Sequence, residues 1–303
     1  CGVPRGVAEL QGVGRRCGPR GTAPALMGWD GAQHAPTEVF QRAGGRGMLG
    51  VTVPEEYGGA GLSYVDYVHV IEELAVVDSG FALSVAAHNS LGTGHIYHAG
   101  NDEQKKKWLP KLTSGEWIAA WGLTEPGSGS DASGMRTAAV QDSDEWILNG
   151  TKNFITNATY ADISVVLVVT DKSDQKHGIT AFAVEMDRPG IRPGKKENKL
   201  GMRVSDTAEL VMEDCRVPSS NILGKIGYGF IDAMKVLDGG RISIGALAVG
   251  IARGAYEAAR DYAKQRQAFG KPISEFQAIQ CMRADMATEI DAARLLCYRA
   301  ATI

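Results

Sequence analysis

No apolar run in this 303-residue chain approaches the ~20 residues that a membrane-crossing helix needs. The longest, Ile163 to Val169, has the length of a buried strand, so the sequence predicts no membrane span. Neither sign of charge dominates. The 32 lysines and arginines stand against 35 aspartates and glutamates, and a net charge of −3 gives no electrostatic ground for a nucleic-acid or membrane partner. The five cysteines, Cys1, Cys17, Cys215, Cys281 and Cys297, are odd in number and far apart, with no C-x-x-C pair for zinc or a redox dithiol. Free thiols in a reducing compartment are expected. His95 and His98 of HIYH could share a helical face, but no further ligands accompany them, so no metal is expected.

What is present is an ordinary globular composition, 44% hydrophobic, long enough for two or three domains. Residues 1–25 form an atypical Gly/Arg-rich segment, expected to be disordered; GVGRRCG (Gly12 to Gly18) lacks the strand and helix that a dinucleotide fingerprint needs. Over 26–116 the pattern is helical. Ser63 with Asp66 three residues on reads as a cap, a second helix is predicted from Phe81 to His98, and Asn101 or Asp102 caps a short helix whose QKKKWL lysines read as a solvated face. Residues 117–224 change to β-rich runs of antiparallel character (EWILNGT, ADISVVLVV, GITAFAVEM, TAELVMEDCRV) separated by turn residues. Helical periodicity returns over 225–303, broken at Phe269 to Pro272, and its second helix meets no capping signal before Ile303.

The chemistry is concentrated in WGLTEPGSGSD (Trp121 to Asp131) and NGTKNFITN (Asn149 to Asn157). Gly127 and Gly129 are expected to release the backbone so that several N–H groups face one anion, with Thr124, Ser128, Ser130 and Thr156 supplying hydroxyls. A Gly/Ser-rich loop alone is more often a tight turn than a ligand site.

These strings, with VPEEYGGAGL (Val53 to Leu62), KWLPKLTSGEW (Lys107 to Trp117), KLGMRVSDTAEL (Lys199 to Leu210), LDGGRI (Leu237 to Ile242) and RQAFGKPISEFQAIQ (Arg266 to Gln280), resemble the acyl-CoA dehydrogenase family from about Trp29 to Ile303. The resemblance implies an α+β fold with an N-terminal helical domain, a middle β-barrel-like domain and a C-terminal helical bundle, of which only about two helices fall within this chain. It implies FAD-dependent α,β-dehydrogenation of acyl-CoA thioesters to trans-2-enoyl-CoA, in fatty acid beta-oxidation, with short-chain or short-branched-chain members the nearest in pattern. Electron-transfer flavoprotein is the expected acceptor, a homotetramer (dimer of dimers) the expected assembly, and the bacterial cytoplasm or mitochondrial matrix the expected location. An acyl-CoA oxidase-like flavoenzyme and a catalytically inactive flavin- or CoA-binding protein are the alternatives.

By the same resemblance, Trp121, Leu123 and Thr124 fall beside the flavin, with Leu123 and Thr124 at the pyrimidine ring where negative charge accumulates on reduction. Gly129 and Ser130 fall on the ribityl and pyrophosphate side, Ser130 also reaching the CoA thioester arm. Phe154, Ile155 and Thr156 match a Trp-Ile-Thr triplet, phenylalanine keeping the packing and losing an indole donor. Asp238 and Arg241 match CoA contacts, although at this spacing they also read as an i, i+3 helix salt bridge. Arg266 and Gln277 match residues that reach the FAD of a neighbouring subunit, and Arg266 has the fork to hold a pyrophosphate. The catalytic glutamate is the departure. A minority of the family carries it at the position of Gly240, which has no side chain, so the base is expected beyond Ile303 and the chain as it stands is expected to be inactive. Glu125 matches a structural position.

Overall fold

The computed structural model describes residues 26–34, 37–174 and 177–303. The Gly/Arg-rich segment, with Cys1, Cys17 and GVGRRCG, lies outside them. The helical first part contains α1 (Leu26–Ala32), α2 (Thr37–Gly44) and α3 (Tyr64–Val77), then α4 (Ser79–Ala86), a π-helical segment Ala87–Thr93, α5 (Gly94–Ala99) and α6 (Asp102–Ser114). Ser63 caps α3 by a reciprocal box: its hydroxyl accepts from the Asp66 N–H at 3.3 Å, and its own N–H donates to Asp66 Oδ2 at 2.8 Å. Asn101 and Gln104 build the same box at α6, both bonds 2.9 Å.

Two predicted features differ. The single helix expected over 81–98 is interrupted by the π segment, which apolar periodicity cannot reveal, because seven residues of wider winding leave the spacing of apolar positions nearly unchanged. Asn89 Nδ2 donates to the Val85 carbonyl at 3.0 Å and Ser90 Oγ to Ala86 at 2.6 Å, satisfying carbonyls around the change in winding. Of the lysine run, Lys107 is not merely solvated. It pairs with Glu185 Oε1 at 2.7 Å, to which the buried Trp108 indole also donates at 3.1 Å.

The middle part is a sheet of β1 (Ala119–Gly122), β2 (Ala138–Asp142), β3 (Glu145–Thr156), β4 (Ile163–Val169), β5 (Ile179–Glu185), β6 (Ile191–Lys196), β7 (Thr207–Pro218) and β8 (Ile222–Leu223). The order is β6-β7-β3-β2-β4-β5-β8 with β1 parallel on β4, and most other pairs are antiparallel. β4 explains its own unbroken apolar run. Ile163, Val165 and Leu167 pack with Trp108, Leu109 and Leu112 of α6, while Val166 and Val168 pack with Trp146, Phe182 and Met212 inside the sheet. A strand covered on both faces has no reason to alternate.

The last part is α7 (Gly229–Gln265), a short hairpin of β9 (Gln267–Ala268) and β10 (Lys271–Pro272), and α8 (Gln277–Ala301). α7 crosses α3 closely because Gly250 has no side chain: a Cβ there would stand 2.5 Å from the Glu72 carbonyl oxygen. A buried ion cluster locks this crossing. Arg253 bonds Glu72 at 2.8 Å and Glu73 at 2.9 Å, and Arg294 of α8 reaches Glu72 at 3.1 Å, with the two carboxylates only 2% and 4% exposed.

Arg253→Leu removes the cation that both buried carboxylates share, so it should cost about 3–5 kcal/mol of stability. Urea unfolding reads this directly. A loss below about 1 kcal/mol would contradict the assignment of the cluster as the lock between α3 and α7.

Candidate functional site

β1 runs straight into the segment Leu123–Thr124, and β3 returns beside it. Together they wall a cleft of about 170 Å³ lined by Trp121, Leu123, Thr124, Phe154, Ile155 and Thr156, closed by Ala87 and Leu91 of the π segment. The two sequence strings thus meet in one place. Trp121 is pinned there by its indole N–H, which donates to His95 Nδ1 at 3.0 Å. His95 is fully buried, and burial pushes its pKa down to about 4, so the ring is neutral and its proton sits on Nε2. The histidine of HIYH serves as an acceptor that fixes an aromatic wall.

Phe154 is held by backbone geometry of a different kind. The β3 to β7 register shifts between Lys152 and Ile155, and within this bulge Phe154 takes φ 59°, with its side chain 61% exposed at the cleft. Asn153 N–H leaves the β7 ladder and donates to the Thr124 carbonyl at 2.8 Å. Past the bulge, Asn157, also left-handed at φ 67°, ties its amide to the carbonyls of Ser84 and Ala119 at 3.2 and 3.3 Å. The cleft is therefore a joint between the sheet and the helical part.

The loop from Glu125 to Asp131 is shaped by a buried carboxylate. Glu125 Oε2 accepts from the Arg136 N–H at 2.6 Å, and Oε1 accepts from the Thr137 N–H at 2.9 Å and from Lys152 Nζ at 2.7 Å. Lys152 is wholly buried on β3 and also donates to the Leu123 carbonyl at 3.1 Å. Burial pushes the Lys152 ammonium down to about 8 against the pull of Glu125. For Glu125, burial acts to raise the pKa, but the contributions of Lys152, Thr137 and Arg136 together outweigh it and hold the carboxyl below its usual range. Both groups are committed to each other.

This corrects the expected role of the glycines. Gly127 and Gly129 adopt no left-handed backbone, and a Cβ at either would meet nothing within 4 Å. Their contribution is an open approach to the loop's outer face; its shape comes from Glu125 and from the paired bonds between Glu125 and Ser128, 2.8 and 3.1 Å. Gly129 and Ser130 are exposed on that outer turn and do not line the cleft.

The remaining candidates lie apart. Asp238 and Arg241 bond each other at 2.6 Å on an exposed stretch of α7, the helix salt bridge that their spacing also predicts. Arg266 stands exposed at the end of α7, its N–H on the Tyr262 carbonyl at 2.9 Å, and Gln277 is exposed at the start of α8; neither lines the cleft. Gly240 does face it indirectly, since a Cβ there would lie 3.1 Å from Leu91 Cδ2. None of the cleft-lining residues is acidic. Lys152 was missed by sequence reasoning, yet it has a signal: it shares strand parity with the buried Trp146 and Leu148, and a lysine facing inward requires a partner.

A phenylalanine in the left-handed region carries a penalty of about 1–2 kcal/mol, and an exposed ring recovers little by packing. Phe154→Gly should therefore leave the unfolding free energy of the ligand-free protein unchanged or raise it by up to about 1 kcal/mol. A clear fall in calorimetry would show that the ring is a packing residue instead.

The sequence matches the family models "Acyl-CoA dehydrogenase, N-terminal domain" over residues 12–116, the middle domain over 120–215 and the C-terminal domain over 227–303. It is 47% identical over 268 residues to the short-chain specific mitochondrial acyl-CoA dehydrogenase of Homo sapiens, covering 88% of this chain and 65% of that one. The chain thus spans about two thirds of that relative's length. The fold superimposes on butyryl-CoA dehydrogenase from Megasphaera elsdenii with a TM-score of 0.97 at 42% identity, covering 100% of this chain and 80% of that one. It matches a glutaryl-CoA dehydrogenase of Mycobacterium smegmatis in complex with FADH2 at a TM-score of 0.93 and 35% identity, covering 99% and 76%. Helical, sheet and helical parts in the same order, with sequence matches across all three, place this chain in the acyl-CoA dehydrogenase family.

Proposed function

We propose that this chain supplies the flavin and acyl-CoA binding parts of an FAD-dependent dehydrogenase that converts short-chain acyl-CoA thioesters to trans-2-enoyl-CoA. The observation that carries the reading is the single cleft in which Trp121, Leu123 and Thr124 meet Phe154, Ile155 and Thr156. Two aromatic side chains, one apolar floor and two hydroxyls suit a flat ring with a polar edge, and the open outer face at Gly127 and Gly129 suits a phosphate chain. FAD, when bound, supplies the acceptor for the hydride that leaves the β-carbon.

The chain's own residues bind and orient. Thr124 and Thr156 offer hydroxyls to the ring edge, Trp121 and Phe154 exclude water from its faces, and Ser130 is assigned to the pyrophosphate and CoA arm. Asp238 and Arg241 are assigned to CoA, their mutual bond exchanging for ligand contacts. Arg266 and Gln277, distant from this cleft, are assigned to the cofactor of a second copy, which calls for a homo-oligomer, a dimer of dimers. Among the described residues no acidic side chain lines the cleft and Glu125 is held by Lys152, which supports the reading, implied by the family resemblance, that the base is supplied from elsewhere. Electron-transfer flavoprotein is the proposed acceptor, and the bacterial cytoplasm or the mitochondrial matrix the proposed compartment.

Ser130→Val with Thr156→Val should lower bound FAD in the purified protein, since both hydroxyl contacts are lost; unchanged flavin content and redox behaviour would overturn the cofactor site. Residues 1–303 loaded with FAD should bleach with butyryl-CoA at least about 10²–10⁴-fold more slowly than a complete enzyme, the share that a general base contributes. Bleaching at the full rate would require a base within the chain. For the complete enzyme, turnover that needs dioxygen rather than electron-transfer flavoprotein would favour the oxidase-like alternative.

A further inference from the structure

Lys152 has three protons and three acceptors around it: the Leu123 carbonyl at 3.1 Å, Glu125 Oε1 at 2.7 Å and Met135 Sδ at 3.7 Å. Its side chain is 0% exposed. Replacing such a buried ion pair by well-packed hydrophobic residues is often neutral or stabilising, so the pair is weak evidence of a role in stability. The Leu123 bond is the informative one, because Leu123 and Thr124 both line the cleft.

A trans peptide is planar, and its C=O and N–H point in opposite directions. Drawing the Leu123 carbonyl onto the buried ammonium therefore turns the Thr124 N–H to the side away from Lys152. The next peptide is oriented likewise by Asn153 N–H, which holds the Thr124 carbonyl at 2.8 Å. Two consecutive residues of β3 thus set two consecutive peptides of the opposite wall, and Phe154 to Thr156 follow directly in the chain. The charge adds an effect that geometry alone lacks: an ammonium on the carbonyl oxygen polarises the Leu123 to Thr124 peptide and makes its N–H a stronger donor.

We propose that Lys152, held by Glu125, is a positioning residue that aims and polarises the Thr124 N–H toward the pyrimidine edge of the flavin, and so favours the reduced, negatively charged cofactor over the oxidised one. The inference rests on the FAD reading above. It separates two effects of the pair. Glu125 anchors the loop, whereas Lys152 acts on the cofactor through the peptide.

The test is the affinity for FAD and the reduction potential of the bound flavin, measured beside the unfolding midpoint of the FAD-free protein. Lys152→Met alone would leave Glu125 buried opposite no cation and risks unfolding, so the variant of choice is the double Glu125→Gln, Lys152→Met, which removes both charges together. It should remain folded, with the glutamine oxygen keeping one of the two backbone bonds, bind FAD at least tenfold more weakly and shift the potential to more negative values. The single Glu125→Gln takes away the carboxylate that keeps the buried amine charged, so at neutral pH its potential should fall toward that of the double variant, and it should rise relative to the double variant as the pH is lowered and Lys152 regains its proton. A folded double variant with wild-type affinity and potential would overturn the inference, and so would an unshifted potential in Glu125→Gln. Wild-type protein that takes up no FAD would overturn the functional reading itself and this inference with it.

Discussion

The site depends on one buried ion pair, Glu125 with Lys152 at 2.7 Å. It joins two strings that stand far apart in sequence. The carboxylate gathers the Arg136 and Thr137 N–H groups and so closes the loop back on itself, while the ammonium draws the end of β1 onto β3. The pair ties the bulge that presents Phe154 to the segment that presents Thr124, beside the backbone bond from Asn153 N–H to the Thr124 carbonyl. Burial opposes the charge on both partners; each keeps its charge because the other is within reach.

The helical parts serve this joint from outside. The π segment brings Ala87 and Leu91 to the cleft, and His95 just beyond it holds Trp121. Seven residues of wider winding change where side chains point without ending the helix, and wider turns of this kind gather at functional sites. α7 is kept against α3 by the Arg253 cluster, which sets Gly240 beside Leu91 and so fixes the side of the cleft that faces the last helices. Two separate buried charge clusters thus hold the helix crossing and the walls of the cleft.

Much of the architecture was legible in sequence because each element declares itself by a period or a cap: SYVD by its box, ISVVLVV by an unbroken apolar run, the last helices by their spacing. The family resemblance carried the ligand assignments that patterns alone leave open. The misreadings share a cause. The loop was credited to its glycines, whereas its shape comes from a glutamate and a lysine 27 positions apart in the chain, a pairing that exists only once β1 and β3 lie side by side. The π segment and the left-handed Phe154 were invisible for a similar reason, since both are imposed by tertiary contacts rather than by local preference. Asp238 and Arg241 show the reverse: spacing alone predicted a helix salt bridge, and that is what the structure contains.

The central claim is that the cleft between β1, β3 and the π segment is the flavin site. A crystal structure of the protein grown with FAD tests it most directly. The account predicts the ring system between Trp121 and Phe154, with the pyrimidine edge on Leu123 and Thr124. Flavin density on the outer face of the loop, or elsewhere in the molecule with this cleft empty, would contradict it.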